Sequence, residues 1–168
     1  QLMALVFHTL DVFTSRRFAG NPLAVVLGAD GLSTERMQTI AREFNLSETI
    51  FVQKPEDPAN TAKVRIFFPT GEIPFAGHPT VGCAILLAEM KQKPGCSFET
   101  EIRLEEQAGL VPVKVTRIAG NTPRAEFVAP VIPQAAKGRA PTAELAARAL
   151  GLAQSDIGLP GHAPAVWQ

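Results

Sequence analysis

The chain's 168 residues suffice for one large domain or two small ones, and with 46% hydrophobic and 19% charged residues they exclude a disordered polypeptide. Sixteen Lys plus Arg balance sixteen Asp plus Glu, so a formal net charge of +0 leaves no field to recruit nucleic acid or anionic lipid. Thirteen glycines and fourteen prolines make the chain turn often, which favours many short strands.

In chain order, residues 5–13 are apolar or β-favouring without a helical period. Residues 23–27 form a continuous apolar run between Gly20-Asn21-Pro22 and Gly28-Ala29-Asp30-Gly31, and both stretches predict strands. Ser33 offers an N-cap to a helix over 34–44, where Met37, Ile40, Ala41 and Phe44 make a one-sided stripe. Two more strands, 48–53 and 63–68, flank a loop marked by Pro55, Asp57, Pro58 and Asn60. Pro79 suits the first position of a helix whose residues 81–90 are apolar all round except Glu89; such a helix must be enclosed. Residues 98–105 alternate apolar positions with Glu99, Glu101, Arg103 and Glu105. After a turn near Gly109, Val111, Val113 and Val115 alternate with Pro112, Lys114 and Thr116, so both stretches are strands with one wet face. A strand over 124–128, a linker over 130–141 containing Pro130 and Pro133, and a helix capped by Thr142 and ended at Gly151 complete the pattern.

These elements predict an α+β fold over 1–130, a β-sheet barrel wrapped around a central apolar helix, with 131–168 as linker and the beginning of something new. Strands do not alternate regularly with helices, and GxGxxG and GxxxxGK[ST] are absent, which disfavours a doubly wound nucleotide-binding sheet. Cys83 and Cys96 make no CxxC pair, no apolar run reaches the roughly 18 residues that span a bilayer, and no leader pattern is visible; a cytoplasmic protein without membrane association is expected. The start at Gln1 and the apolar stop at Ala165, Val166, Trp167 and Gln168 suggest a piece of a longer product.

Among residues able to do chemistry, His8, His78 and His162 are far apart and belong to no HExxH or Cys/His cluster, so no metal site is expected. Cys83 falls within the enclosed helix as a small buried hydrophobe, Cys96 falls in a turn, and Thr14-Ser15-Arg16-Arg17 is a solvated turn rather than an anion site. His78, in Gly77-His78-Pro79-Thr80, is placed at the N-cap of the enclosed helix. The free amides there can attract a carboxylate by roughly 0.3 to 1 kcal/mol at a wet surface. The plain alternative is that His78 only caps the helix and Gly77 only permits a tight approach. Glu48 lies where a helix has ended and a strand begins, a common place for cleft-facing side chains; the plain alternative is an exposed acid. A free glutamate has a pKa near ~4.3, so a glutamate at this place needs no tuning to act as a base at neutral pH, and a proton collected from substrate can be returned without a resting neutral form.

Three segments in order, Phe18-Ala19-Gly20-Asn21-Pro22-Leu23-Ala24-Val25, Asn45-Leu46-Ser47-Glu48-Thr49 and Phe75-Ala76-Gly77-His78-Pro79-Thr80-Val81-Gly82, closely resemble the PhzF-like, or phenazine-biosynthesis-like, family. The resemblance is strong over about 5–130 and weak in the tail. It implies the diaminopimelate-epimerase-like fold, two pseudo-symmetric lobes each built as a sheet around a helix, with 131–168 opening the second. The namesake enzyme isomerises trans-2,3-dihydro-3-hydroxyanthranilate without metal or organic cofactor, moving a proton with a glutamate that corresponds to Glu48. His78 matches the histidine beside the substrate, Gly77 and Thr80 the helix start facing it, and Asn21 and Ser47 fall in cleft-lining segments. Epimerases of this fold carry a cysteine just before the equivalent of Gly77; here that position is Ala76, which argues against a thiol mechanism.

The family's second lobe carries a Gly-Asp-Pro-Ala-Thr-Gly segment, and none occurs in these 168 residues. The implied function is therefore a cofactor-independent isomerase or epimerase acting on a small carboxylate-bearing metabolite, with this chain alone weakly active. The alternative is a non-catalytic protein that binds small anions, or interacts with other proteins, on the same fold. A homodimer is the partner the resemblance suggests.

Overall fold

The computed structural model describes residues 4–132, 134–159, 161 and 164–166; Pro133, His162, Trp167 and Gln168 lie outside them. The chain divides into two compact units, one ending at Pro130 and the other beginning at Val131. In the first, the strands are β1 (Val6–Val12), β2 (Asn21–Leu27), β3 (Glu48–Gln53), β4 (Ala62–Phe68), β5 (Gly71–Ile73), β6 (Phe98–Glu106), β7 (Gly109–Arg117) and β8 (Arg124–Phe127), with helices α1 (Thr34–Phe44) and α2 (Gly77–Met90). Among the described residues these eight strands form one mixed sheet in the order β1-β2-β3-β4-β6-β7-β8, with β5 pairing on β4.

The sheet curls around α2, which packs against β1, β2, β3, β6, β7 and β8. The fold class is therefore the expected one, α+β with a sheet wrapped around an apolar helix. Strand parity decides what faces the helix. Leu23 and Val25, Ile50 and Val52, Val64 and Ile66, Ile102 and Leu104, and the three valines of β7 share one core with Cys83 and Ala84 of α2. The opposite parity, Val26, Phe51 and Phe67, packs outside the curl against Met37 and Ala41 of α1. This two-sided burial explains why 23–27 is apolar without alternation: β2 pairs parallel with β3 and is covered on both faces.

Helix α1 forms as its sequence predicts. Ser33 accepts from the Arg36 amide at 3.2 Å, and Asn45 ends the helix at φ 51°. Around α2 the expectation needs correction. Its N-cap is Ala76, so Pro79 is the third helical residue and His78 the second, not the cap. The first turn tolerates proline at any of these positions because its N–H groups have no intrahelical acceptor. Strand β5 was not anticipated: its three residues are too few to show a period, and it exists by pairing Ile73, Glu72 and Gly71 with Ile66, Phe67 and Phe68.

Strands β4 and β6 are joined only at Ala62–Leu104 and Lys63–Glu105. Beyond Lys63 they part, β5 takes the edge of β4, and a groove of about 650 Å³ opens between β4 and the β6–β7 turn. In the second unit, Thr142 accepts from the Leu145 amide at 3.1 Å to start α3 (Ala143–Leu150), and Gly151 ends that helix at φ 69°. No helix among the described residues is long and apolar enough to cross a membrane.

Candidate active site

The register of β2 and β3 assembles the site. Leu23 lies opposite Glu48, so Asn21, at the mouth of β2, comes beside Ser47 and Glu48. Ser47 Oγ donates to Asn21 Oδ1 at 2.8 Å. Helix α2 enters the curl at the same end and brings in His78, buried to 8% exposure, whose Nδ1 lies 2.8 Å from Glu48 Oε2 and whose Nε2 lies 3.1 Å from the Asn21 carbonyl. The Phe13 ring, on the loop after β1, tilts against the His78 ring at 6.2 Å between centroids.

The two contacts of His78 constrain where its hydrogens sit. A carbonyl oxygen only accepts, so Nε2 carries a hydrogen toward Asn21. Nδ1 then needs either its own hydrogen, donated to a Glu48 carboxylate, or a hydrogen donated by a protonated Glu48. One hydrogen lies between His78 Nδ1 and Glu48 Oε2, which are 2.8 Å apart. A carboxyl group in this arrangement can give up or take back a proton with little movement of heavy atoms.

Beside the pair, the first turn of α2 leaves donors open. Ala76 supplies no side-chain cap, Pro79 has no N–H, and the Gly77 and His78 amides have no protein acceptor among the described residues. A Cβ added at Gly77 would meet only Phe127 Cζ, at 3.5 Å, an ordinary contact. Packing therefore does not demand glycine there; its missing side chain leaves the helix mouth uncovered. Thr80 stands apart from this group: it is fully buried, and its hydroxyl lies 2.7 Å from the Ala76 carbonyl and 2.7 Å from Glu106 Oε1.

Glu106 was not singled out from the sequence, although the signal was there. Ile102, Leu104 and Glu106 share the inward parity of β6, while Glu99, Glu101, Arg103 and Glu105 take the outward one. Burial pushes its carboxyl up to about 7. Cys83, on the next turn of α2, is buried, and its thiol is pushed up by desolvation and by Glu106. Cys96 is exposed, and no group of three or more His, Cys, Asp or Glu that could hold a metal occurs among the described residues.

A family model for phenazine biosynthesis-like proteins, PhzC-PhzF, matches residues 10–165. The chain is a member of the PhzF family. An uncharacterised isomerase of Mesorhizobium japonicum is 49% identical over 157 residues, 94% of this chain and 50% of that protein. The trans-2,3-dihydro-3-hydroxyanthranilate isomerase of Pseudomonas aeruginosa is 42% identical over 125 residues, 74% of this chain and 42% of that protein. The solved structure of a predicted epimerase from Pseudomonas aeruginosa superposes with a TM-score of 0.75 at 34% identity, covering 98% of this chain and 56% of that one. A PhzF-family phenazine biosynthesis protein from Bacillus anthracis gives 0.72 at 28% identity, covering 92% and 50%. The chain thus spans about half the length of the relatives it matches.

Proposed function

We propose that this PhzF chain carries the proton-transferring lobe of a cofactor-independent isomerase or epimerase that moves a carbon-bound proton on a small carboxylate-bearing metabolite. The observation that carries this reading is the Glu48–His78 pair at 2.8 Å beside the open Gly77 and His78 amides. Glu48 as carboxylate takes a proton from carbon, and the electron pair left behind spreads into the substrate's conjugated system. The amides at the mouth of α2 hold the substrate carboxylate and the charge that develops. Glu48, now protonated, returns the proton to a second carbon, so no oxidant, reductant or added proton is required. His78 keeps the carboxyl in place, itself held by the Asn21 carbonyl, and the Ser47 hydroxyl orients the Asn21 amide.

The isomerase names of the relatives support the reaction class, and the substrate named for the Pseudomonas aeruginosa relative is the first probe. Residues 131–168 open a second lobe in this reading, turnover by the 168-residue chain is slow, and its setting is the cytoplasm.

The test is long incubation of the chain with trans-2,3-dihydro-3-hydroxyanthranilate in deuterated water. Label is expected to enter the substrate carbon skeleton, with the rate dropping by about 100-fold or more in Glu48→Gln. Equal labelling in that variant, or no labelling accompanied by a thermal shift with simple carboxylates, would replace proton transfer with plain anion binding.

A further inference from the structure

Glu106 is the only buried acidic side chain among the described residues, 7% exposed, and it projects inward from the last position of β6 toward the first turn of α2. Oε1 lies 2.7 Å from Thr80 Oγ1, while the buried Oε2 has no partner among the described residues. Among the described residues no cation pairs with it. On the groove side Arg65 is engaged by Glu72, and Lys63 pairs with Glu56. Glu105, on the outward parity, accepts from the amides of Glu56 and Asp57 and from Asn60 Nδ2. On the helix side the facing groups are Thr80 and the thiol of Cys83.

The Thr80 hydroxyl has one hydrogen and two close oxygens. The Ala76 carbonyl at 2.7 Å can only accept, and an ionised Glu106 at 2.7 Å could also only accept. Both contacts are satisfied together only if the Glu106 carboxyl carries a hydrogen and donates it to Thr80 Oγ1, freeing the Thr80 hydrogen for Ala76. We propose that Glu106 works as a neutral carboxylic acid, a positioning residue that fixes the first turn of α2 through Thr80 and so sets the place of His78 and the Gly77 amide. A second tie runs alongside: the Ala108 amide donates to the Pro74 carbonyl at 3.0 Å, joining the β6–β7 turn to the segment that leads into α2.

Burial pushes the Glu106 carboxyl up to about 7, so its proton is lost near neutrality. The ionised form must take the Thr80 hydrogen away from Ala76, which leaves the Ala76 carbonyl only the longer bond from the Thr80 amide, at 3.3 Å, and loosens the turn. Because this pKa lies above its unfolded value, the stabilisation is complete in acid and disappears as pH rises toward and through about 7.

In its link to His78 the proposal rests on the isomerase reading, and its test uses Glu106→Gln, whose amide donates to Thr80 at every pH. Thermal unfolding of the 168-residue chain from about pH 5 to about pH 9 should show the native midpoint falling by several degrees relative to Glu106→Gln. The Gly77 and His78 amide resonances should show an inflection near neutrality that the variant lacks. Parallel unfolding curves, or an inflection common to both proteins, would overturn the proposal. If Glu106→Gln does not fold, the native chain still decides. A protonated-carboxyl infrared band that fades over the same pH range as stability supports the assignment, and a stability loss without such a band refutes it. These readouts need no turnover, so a missing deuterium label counts against proton transfer alone. Where label does enter, its rate should fall through neutrality in the native chain and stay level in Glu106→Gln.

Discussion

Phe18 is 91% exposed and yet holds φ at 63°, a left-handed conformation that a bulky side chain adopts at a cost of roughly 1–2 kcal/mol. Its amide donates to Asp11 Oδ2 at 2.9 Å, and its ring offers Arg17 only an exposed cation–π contact at 5.8 Å. Asparagine tolerates this backbone far better, and the ring contact it would forfeit is worth about 0.5–1 kcal/mol. Phe18→Asn is therefore expected to leave stability unchanged or raise it by up to about 1 kcal/mol in a urea titration. A loss of more than that would show that the ring has a folded-state role beyond these contacts. Glu105 gives a prediction of the opposite pH sign to its neighbour. Hydrogen bonds from Asn60 first, then from the Glu56 and Asp57 amides, hold its carboxyl below the usual range. That contribution is present above its unfolded pKa and lost as pH falls, so Glu105→Gln should cost more stability near neutrality than in acid, as read by denaturant unfolding at both pH values.

At the scale of elements, α2 poses a contest between propensity and packing. Gly82 lies mid-helix, where alanine would gain about 1 kcal/mol of helix propensity. A Cβ there would stand 2.6 Å from Leu23 Cδ2 and 2.8 Å from Val12 Cγ2, and both residues are buried in the wall, at 0% and 5% exposure. Overpacking of this kind costs about 1–3 kcal/mol, so Gly82→Ala should destabilise the chain in thermal unfolding despite the better helix former. The same helix shows which signals a sequence carries. Its all-round apolarity announced that it is enclosed, because the period of side chains is local. The place where it starts is not legible from Pro79, because proline is tolerated throughout the first turn of a helix. Glu48 and His78 were legible as family positions, whereas their mutual contact was not: it depends on the parallel register that sets Leu23 against Glu48, a pairing no single segment encodes. Glu106 escaped for a different reason. Its parity placed it inside, but a carboxylate beside Glu105 looks like one more solvated charge until its neighbours Thr80 and Cys83 are known.

For the molecule as a whole, the sheet's continuity matters less than where it ends. Only two ladder pairs join β4 to β6, so the curl is two ribbons, β1 to β5 and β6 to β8, tied by those pairs, by hydrogen bonds between the 56–61 loop and Arg103 and Glu105, and by packing on α2. The candidate pair draws Glu48 from the first ribbon and His78 from the helix, while Glu106 belongs to the second. Adjacent glutamates on opposite faces of β6 then give the unit a stability that declines on both sides, in acid through Glu105 and toward alkali through Glu106.

In the proposed isomerase reading, the anchoring of the Glu48–His78 pair has a consequence for how new substrates are acquired. Glu48 heads a strand clasped on both edges and covered on both faces, and the His78 ring is pinned by main chain at Asn21. Neither partner can be re-aimed without remaking the core. Diversification would have to work on the residues around them, and the exposed 13–19 loop, with Phe13 leaning on the imidazole, is the cheapest place for natural variation to reshape the chamber while its chemistry stays the same.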